Sequence, residues 1–591
     1  MSARQVAIGG ASGAWGDSPM AIGQLLEAKV DYLMMDYLAE VTMSLLARAR
    51  LKDPEAGFPP DFVGYLKPHL KEIARRGIRV VSNAGGVNPQ ACKRALEAAC
   101  AEAGVDLKVA VVLGDDLMPQ AGALRAAGVR EWVSGEPLPA TLLTANAYLG
   151  AVPIAQALGQ GAQIVVTGRS ADSALALGIL MHEFGWRTDD YDRLAAGSLV
   201  GHILECGPQA TGGVFTDWER VPGWHHIGYP IALCREDGTF DVTKPEGTGG
   251  LIDVDCISEQ VLYEVGDPRA YLLPDVVADF SQVQLQQLDA QHVRVTGARG
   301  LPPTTQYKVS ATYQDGWRAV AMAVIVGVDA VRKAERSAQA LIDRAQMLLE
   351  KRGLPPLSRT HVEVLGGEAN YLDRSQARGS REVVMRLVLE HQDGKALGLF
   401  AREMGSAGLS FAQGLAGLIG GRPKPTPVVR LFTFFVDKAS LPVHMQVGDQ
   451  ALVEVAIPAG SPWTPPPVPA PDDTPVDGPL VDVPLIRLAH ARSGDKGDSS
   501  NIAIICRDAK YVPHLRRVLT SERMARHFEG VVRGEVVRFE APGLHAFNFL
   551  MQQALGGGGM ASMRIDPQGK AFGQRALEMM VPVPAAWGLK P

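Results

Sequence analysis

Apolar residues in the first 180 positions come in short unbroken runs rather than in alternation. Val6-Ala7-Ile8, Tyr32-Leu33-Met34-Met35, Ile78-Arg79-Val80-Val81, Val109-Ala110-Val111-Val112-Leu113 and Ile164-Val165-Val166 each stop at glycine or a polar residue. Helical stretches separate them, such as Met20 to Lys29, which Asp17 or Ser18 can cap with Pro19 at the first helical position. Runs of this kind read as strands buried on both faces, and their alternation with helices predicts an α/β domain with a mostly parallel sheet. In such sheets ligands sit at the carboxyl ends of the strands. Here those ends carry Gly9-Gly10, Asp36 with Glu40, Asn83 with Gly85-Gly86, Asp115-Asp116, and the turn Thr167-Gly168-Arg169-Ser170-Ala171-Asp172.

Further along, the pattern loosens into glycine-rich loops and then returns as mixed α and β. Strand-like Val320–Val328 and a helix from Val331 to Lys351 predict a second α/β or α+β lobe over 301–456, after a first domain over 1–300. Its glycine-rich helix is expected to run from Gly405 toward Gly420-Gly421. Nine prolines fall among the 22 residues 458–479, which predicts a semi-rigid linker, taken as 457–481. Beyond it, 482–591 reads as one small α+β domain. Its expected elements are a strand into a charged glycine loop, the strand Asn501–Cys506, a helix Val512–Phe528, the strand Glu535–Glu540, a helix Leu544–Leu555 and a last strand near Leu577–Val581.

Composition narrows the function. The 591-residue chain is too long for one core, and its net charge of −6 removes the general attraction to phosphate backbones on which nucleic-acid binders depend. The balance is uneven: residues 481–591 carry 15 basic and 10 acidic side chains, so a small basic module follows an acidic body. Six scattered cysteines with no CxxC pair argue against a disulfide framework, and no window offers the ~20 apolar residues of a membrane helix. With no signal-peptide pattern at the start, a cytoplasmic protein without membrane or nucleic-acid partners is the expectation. Its size suggests a homo-oligomer.

Each strand end has a structural and a chemical reading. The loop Gly10-Ala11-Ser12-Gly13 fits neither a dinucleotide fingerprint nor a Walker A loop; it is either a plain turn or a generic ligand loop whose amides hold an anion. Asp36 and Glu40 can divide acid and base roles or bind a divalent ion, or one of them can cap a helix. Asn83 and Asp115 are ordinary turn residues individually, but a parallel sheet converges them with Asp36. Arg169 beside a helix N-terminus opposes the helix dipole, which is easier to explain if an anion or carboxylate shares its site with Asp172. His202 and Glu205 have an i,i+3 spacing suited to a metal or proton shuttle, yet no second ligand stands nearby in sequence, so a structural role is expected. Arg492, Asp495, Lys496 and Asp498, packed around two glycines after His490, are more charge than a turn requires and suggest a preorganised polar site.

The segments GGASGAWGDS, SNAGGVNP, VTGRSADSALALG, HILECGPQATGG, REMGSAGLSFAQGL and HARSGDKGDSSNIAII together resemble the acyclic terpene utilisation protein AtuA family. The resemblance covers nearly the whole chain: a large family domain to about residue 455, and a ferredoxin-fold AtuA-like domain over 482–591. It implies a place in the catabolism of acyclic terpenes and branched acids through coenzyme A thioesters, with a carbon–carbon lyase step on a 3-hydroxy-3-substituted glutaryl-CoA as the proposed role, but no residue set. From the residues, catalysis is expected of Asp36, Glu40, Asn83, Asp115, Arg169 and Asp172, with Asp36, Glu40 or Asp115 as base. Substrate binding is expected of Gly10, Ser12, Gly13, Arg492, Asp495, Lys496 and Asp498. Coenzyme A would enter as part of an acyl-CoA substrate; Mg2+ is compatible with the carboxylates but not demanded by them. A hydratase is the neighbouring alternative. A non-catalytic accessory or assembly subunit of an acyl-CoA carboxylase or similar complex is the alternative from another class.

Overall fold

A computed structural model describes residues 4–467 and 478–590, so the middle of the expected proline linker, 468–477, lies outside the described residues. Strands Gln5–Ser12, Tyr32–Met35, Arg79–Ser82, Ile164–Thr167 and Val109–Leu113 lie side by side in that order, all parallel. Their side chains feed two separate cores. Val6, Ile8, Met34, Val81 and Val165 pack on one face, and Ala7, Leu33, Met35, Val80 and Val166 on the other. Burial on both faces is why the strands read as continuous apolar runs.

The parallel expectation holds for these central strands only. Ile231–Arg235 joins antiparallel beside Gln5–Ser12, and His444–Val447 joins antiparallel beside Val109–Leu113; further strands extend both edges to an 11-stranded mixed sheet. The stretch 301–456 is also not a free-standing lobe. Besides lending His444–Val447 to the large sheet, it contains the 21-residue strand Gln306–Val326, which pairs with Thr144–Ala147 from the first region. Helices Ala330–Glu350 and Gly394–Ser410 cover this second sheet. The glycine-rich helix expected toward Gly421 stops at Ser410, and Leu415–Ile419 is a strand paired with Gln306–Val326.

The C-terminal domain is α+β, with a sheet ordered Ala489–Lys496, Ser499–Cys506, Ala546–Met551, Val536–Ala541. Two expectations fail here. The charged motif after His490 is a β-hairpin turning at Gly497-Asp498 rather than a loop, and the helix expected at Leu544–Leu555 is the strand Ala546–Met551. Its apolar residues Phe547, Phe549 and Met551 alternate toward the domain core, a period-two signal masked by Leu550 and the helix-favouring Leu and Met content. The expected helix Val512–Phe528 is broken at Leu519-Thr520, where the Thr520 side chain caps the second piece, Ser521–His527.

This domain docks on the large one through buried amides. Asn501 donates to the Leu262 carbonyl at 2.9 Å and to Asn548 at 3.0 Å, and Asn548 donates to Val265 at 2.7 Å. At the other end of the strand that carries Asn501, Arg507 grips Asp217 with both Nη nitrogens, at 2.6 and 2.7 Å. The docking brings the end of the Ala489–Lys496 strand over the carboxyl ends of the parallel strands.

Candidate functional site

Asp36 is the first residue after strand Tyr32–Met35 and is buried. Its Oδ1 accepts from the Leu38 amide at 3.1 Å and from Asn83 Nδ2 at 2.8 Å, while Asn83 Oδ1 accepts from the Tyr37 amide at 2.9 Å. Asn83, at the end of the neighbouring strand, therefore ties two strand ends together and aims Asp36. Arg169 follows the third strand end. Its Nη1 donates to the Leu38 carbonyl at 2.6 Å and to Asp172 at 3.0 Å, and its Nη2 donates to the Tyr148 hydroxyl at 3.1 Å. Tyr148 in turn donates to Glu40, the first residue of helix Glu40–Lys52, and the Lys308 ammonium lies 4.6 Å from the Tyr148 ring centre.

Glu205, just past helix Tyr191–Leu204, completes the cluster. A carboxylate oxygen from each of Asp36, Asp172 and Glu205 lies within 4.8 Å of the others. Two glycines make this meeting sterically feasible. A Cβ on Gly10 would stand 2.8 Å from the Leu204 carbonyl oxygen, and one on Gly13 would stand 2.8 Å from the Cys206 carbonyl carbon. The backbone carrying Glu205 thus rests directly on the first strand. This corrects the anion-loop reading of Gly10, Ser12 and Gly13. The Gly10 amide is bonded to the Pro230 carbonyl, the Gly13 amide to Asp17, and the Ser12 hydroxyl donates to the Asp36 carbonyl at 2.9 Å, so none is a free donor.

Charge in this cluster is unevenly compensated. Burial, then the neighbouring Asp172 charge, pushes the Asp36 carboxyl well above the usual range against the pull of the Asn83 hydrogen bond. Burial likewise moves Asp172 up to about 6, with Arg169 opposing and Glu205 and Glu40 assisting. Glu40 goes the other way: although burial disfavours its charge, Lys308, Arg169 and the Tyr148 hydroxyl bring it down to about 2. So low a value makes Glu40 a poor base at neutral pH and a fixed counter-charge instead. Asp115 is raised to about 7, chiefly by burial, but its Oδ2 holds the Arg169 amide and Asn146 Nδ2, each at 2.8 Å. It braces the Arg169 turn rather than facing the cluster.

From the C-terminal hairpin only Lys496 overlooks the trio. Its ammonium sits 5.3 Å from the Tyr271 ring centre. Loss of water works against its charge, but Tyr271, Glu264, Glu205 and Asp172 raise its affinity for the proton above that of an ordinary lysine. Asp495 pairs with Lys570 at 3.0 Å, and Lys570 also binds Glu264 at 2.9 Å. Arg492 and Asp498 are spent elsewhere, which corrects their assignment to substrate. Arg492 is buried against the Val214 carbonyl, Gln209 and the Tyr263 ring, and Asp498 Oδ1 collects the Leu555, Gly557 and Gly558 amides.

The structure therefore brings Asp36, Asn83, Arg169 and Asp172 into one crevice, with Glu40 behind it, Asp115 beneath the arginine turn and Lys496 above. It adds Glu205, Tyr148, Lys308 and Tyr271. Only Glu205 had a sequence signal, its spacing from His202, and the missing ligands come from strand ends 169 and 33 residues away along the chain. A groove of about 290 Å³ lined by Arg4, Tyr32, Arg79 and Glu183 opens at the amino ends of the strands, away from these carboxylates.

Residues 6–447 match a family model described as acyclic terpene utilisation family protein AtuA, and residues 483–582 match one described as AtuA ferredoxin-like domain. No curated protein and no solved structure matches the chain. With most of its length covered by the larger match and its C-terminal domain by the smaller, the chain belongs to the acyclic terpene utilisation AtuA family.

Proposed function

We propose that this chain is an enzyme acting on the coenzyme A thioester of a branched acid, and that it cleaves a carbon–carbon bond in a 3-hydroxy-3-substituted glutaryl-CoA. One observation supports this reading above the rest: the carboxyls of Asp36, Asp172 and Glu205 meet at the carboxyl ends of the parallel strands, beneath a lysine from the second domain. Retro-aldol cleavage needs both signs of charge. A base takes the proton of the tertiary hydroxyl, the C3–O bond becomes a carbonyl, and the C2–C3 bond breaks. Its electron pair passes to the thioester as an enolate, which is protonated to acetyl-CoA while a 3-oxo acid departs. Asp172 has the fitting proton affinity, ionised at pH 7 yet more basic than a free carboxylate, and is the most exposed of the trio with 32% of its side chain accessible. Lys496 supplies the cation for the enolate oxygen. The basic surplus of the C-terminal domain suits the phosphates of coenzyme A.

The geometry revises the expected roles. Glu40 and Asp115 leave the list of bases, and the Gly10 and Gly13 amides leave the list of anion-holding groups, for the reasons given above. Arg169, with its Nη atoms engaged by the protein, sets the charge of Asp172 rather than touching substrate.

The test is incubation of the full-length protein with a series of 3-hydroxy-3-substituted glutaryl-CoA thioesters, with products read by mass spectrometry. Acetyl-CoA with the matching 3-oxo acid is expected, and Lys496→Met should abolish it. Loss of water from the substrate instead of cleavage would replace the lyase by a hydratase. Absence of turnover together with absence of any thermal shift on adding CoA esters overturns the enzyme reading and favours an accessory subunit.

A further inference from the structure

We propose that the groove at the amino ends of the parallel strands is a second binding site, which takes the phosphate monoester of a small hydroxylated molecule. The groove has a volume of about 290 Å³ and sets Arg4, Arg76 and Arg79 against Asp31 and Glu183, three guanidiniums to two carboxylates. A volume at the lower end of the range for ligand pockets fits a small metabolite and not a whole coenzyme A. The groove is also separate from the crevice. Tyr32 and Arg79 pair in register as the first residues of two neighbouring strands. Asp36 and Asn83 come four residues later in each, so about 13 Å of strand lies between the two places.

The positive charge in the groove is not matched by the groups around it. Glu183 is occupied by Arg4 and by the Tyr32 hydroxyl. Arg76 gives both Nη nitrogens to the Leu26 and Ala28 carbonyls, which fix the side chain without neutralising it. Arg79 is half-buried, with Nη1 2.8 Å from His182 Nε2 and 3.3 Å from the Tyr32 hydroxyl. Among the described residues neither Arg76 nor Arg79 forms an ion pair, and Arg79 Nε and Nη2 donate to nothing, which leaves that edge of a groove-lining guanidinium open. Such an edge binds a phosphate or carboxylate through two parallel hydrogen bonds. Gly77 ends helix Leu70–Arg76 in the left-handed conformation, at φ 67°, and turns the chain so that Arg76 and Arg79 line the same groove. Paired guanidiniums favour a phosphate monoester, with about two negative charges at neutral pH, over a single carboxylate. The rest of the lining suits hydroxyl groups. Gln5 is there, and so is Asp31, whose Oδ2 takes the Ala7 amide at 2.8 Å while Oδ1 accepts nothing from the described residues. The inference goes beyond the lyase reading and does not depend on it, because none of these residues belongs to the crevice.

The experiment is isothermal titration calorimetry of the full-length protein with glycerol 3-phosphate, inorganic phosphate and glycerol. One glycerol 3-phosphate per chain is expected, with inorganic phosphate weaker and glycerol not bound. Arg79→Gln should weaken glycerol 3-phosphate at least about tenfold while circular dichroism stays unchanged. Lys496→Met, which alters only the crevice, should bind it as the wild type does. Glu183→Gln keeps the size and an acceptor oxygen but removes a repelling charge, so it should tighten binding; this variant serves if Arg79→Gln fails to fold. Absence of bound glycerol 3-phosphate, or equal binding by wild type and Arg79→Gln, would overturn the site. So would weaker binding by Glu183→Gln. Binding lost in Lys496→Met would put the phosphate in the crevice and overturn the groove, and inorganic phosphate as tight as glycerol 3-phosphate would overturn the hydroxylated ligand.

Discussion

The crevice and the domain interface lie close together and are built from similar polar residues, yet they treat those residues in opposite ways. At the interface the Asn501 amide donates to the Asn548 side chain and the Leu262 carbonyl, the Asn548 amide donates to the Val265 carbonyl, and both Nη nitrogens of Arg507 find oxygens on Asp217. In the crevice, Glu205 accepts no hydrogen bond among the described residues, and carboxyls of like charge crowd within 4.8 Å. Satisfied polar groups specify a docked geometry; unsatisfied ones cost stability and are retained where a ligand or reaction uses them. The two regions should therefore separate stability from activity.

The largest effect that would sharpen this contrast is on turnover. Asp172→Asn keeps the size and the Arg169 contact but removes the base, and should lower turnover of the CoA thioester by about 100-fold or more. Its midpoint of thermal unfolding should stay near wild type, since the variant also relieves repulsion against Asp36. A large drop in that midpoint would instead make the trio part of the scaffold. Next in size is Asn548→Ala, which strands the Val265 carbonyl and takes from the Asn501 amide one of its two acceptors in a buried interface, and should cost about 2–3 kcal/mol in denaturant unfolding. Should this variant lose turnover without losing stability, the division between the regions would fail.

How much of this was legible in the sequence follows the same division. The parallel core was readable because strands buried on both faces have no polar alternation to blur them, and the strand ends naturally displayed Asp36, Asn83, Arg169 and Asp172. Glu205 was visible only as a lone i,i+3 partner of His202. Its importance depends on Gly10 and Gly13 letting the turn at Leu204–Cys206 rest on the first strand, and no local pattern encodes that approach. The hairpin after His490 looked like a loop because charge and glycine are typical of loops. Its Ala491 packs in the core of its own domain, Ser493 is held by the Gly569 and Lys570 carbonyls, and Gly494 lies against Tyr263 and Glu264 of the large domain, tertiary facts that override local propensity. Arg492 and Asp498 were misassigned for the related reason that a charged side chain serving an interface, as Arg492 does, or a turn of its own domain, as Asp498 does, has the same composition as one serving a substrate.

A smaller effect tests the interface through pH. Arg507, then His490, holds the Asp217 carboxyl below its ordinary value. A depressed acid contributes stability that is full above the unfolded value and fades as pH falls through the folded one. Asp217→Asn should cost about 1 kcal/mol at pH 7, a modest figure because both partners retain some solvent contact, and the difference from wild type should vanish in strongly acid solution. Chemical unfolding at a series of pH values measures it. A difference that persists below the folded value would mean that Asp217 acts through packing and not through its charge.

The smallest expected change concerns Glu259, a buried acid at the same interface whose Oε1 takes the Thr216 amide at 3.2 Å while Oε2 has no partner among the described residues. Burial raises its proton affinity to about 8, against the Thr216 hydrogen bond and the Arg492 charge. The sign is the reverse of that for Asp217. Between the ordinary value of a glutamate and 8, the unfolded chain ionises while the folded one keeps its proton, so stability falls as pH rises; above 8 both forms are ionised and the penalty is constant. Glu259→Gln preserves the acceptor for Thr216 and removes the titration. It should match wild type near pH 4 and exceed it by roughly 1 kcal/mol at pH 8. A variant less stable than wild type at both pH values would mean that the Glu259 carboxylate is itself paired across the interface, and the contrast between the satisfied interface and the unsatisfied crevice would then extend to every acid in it.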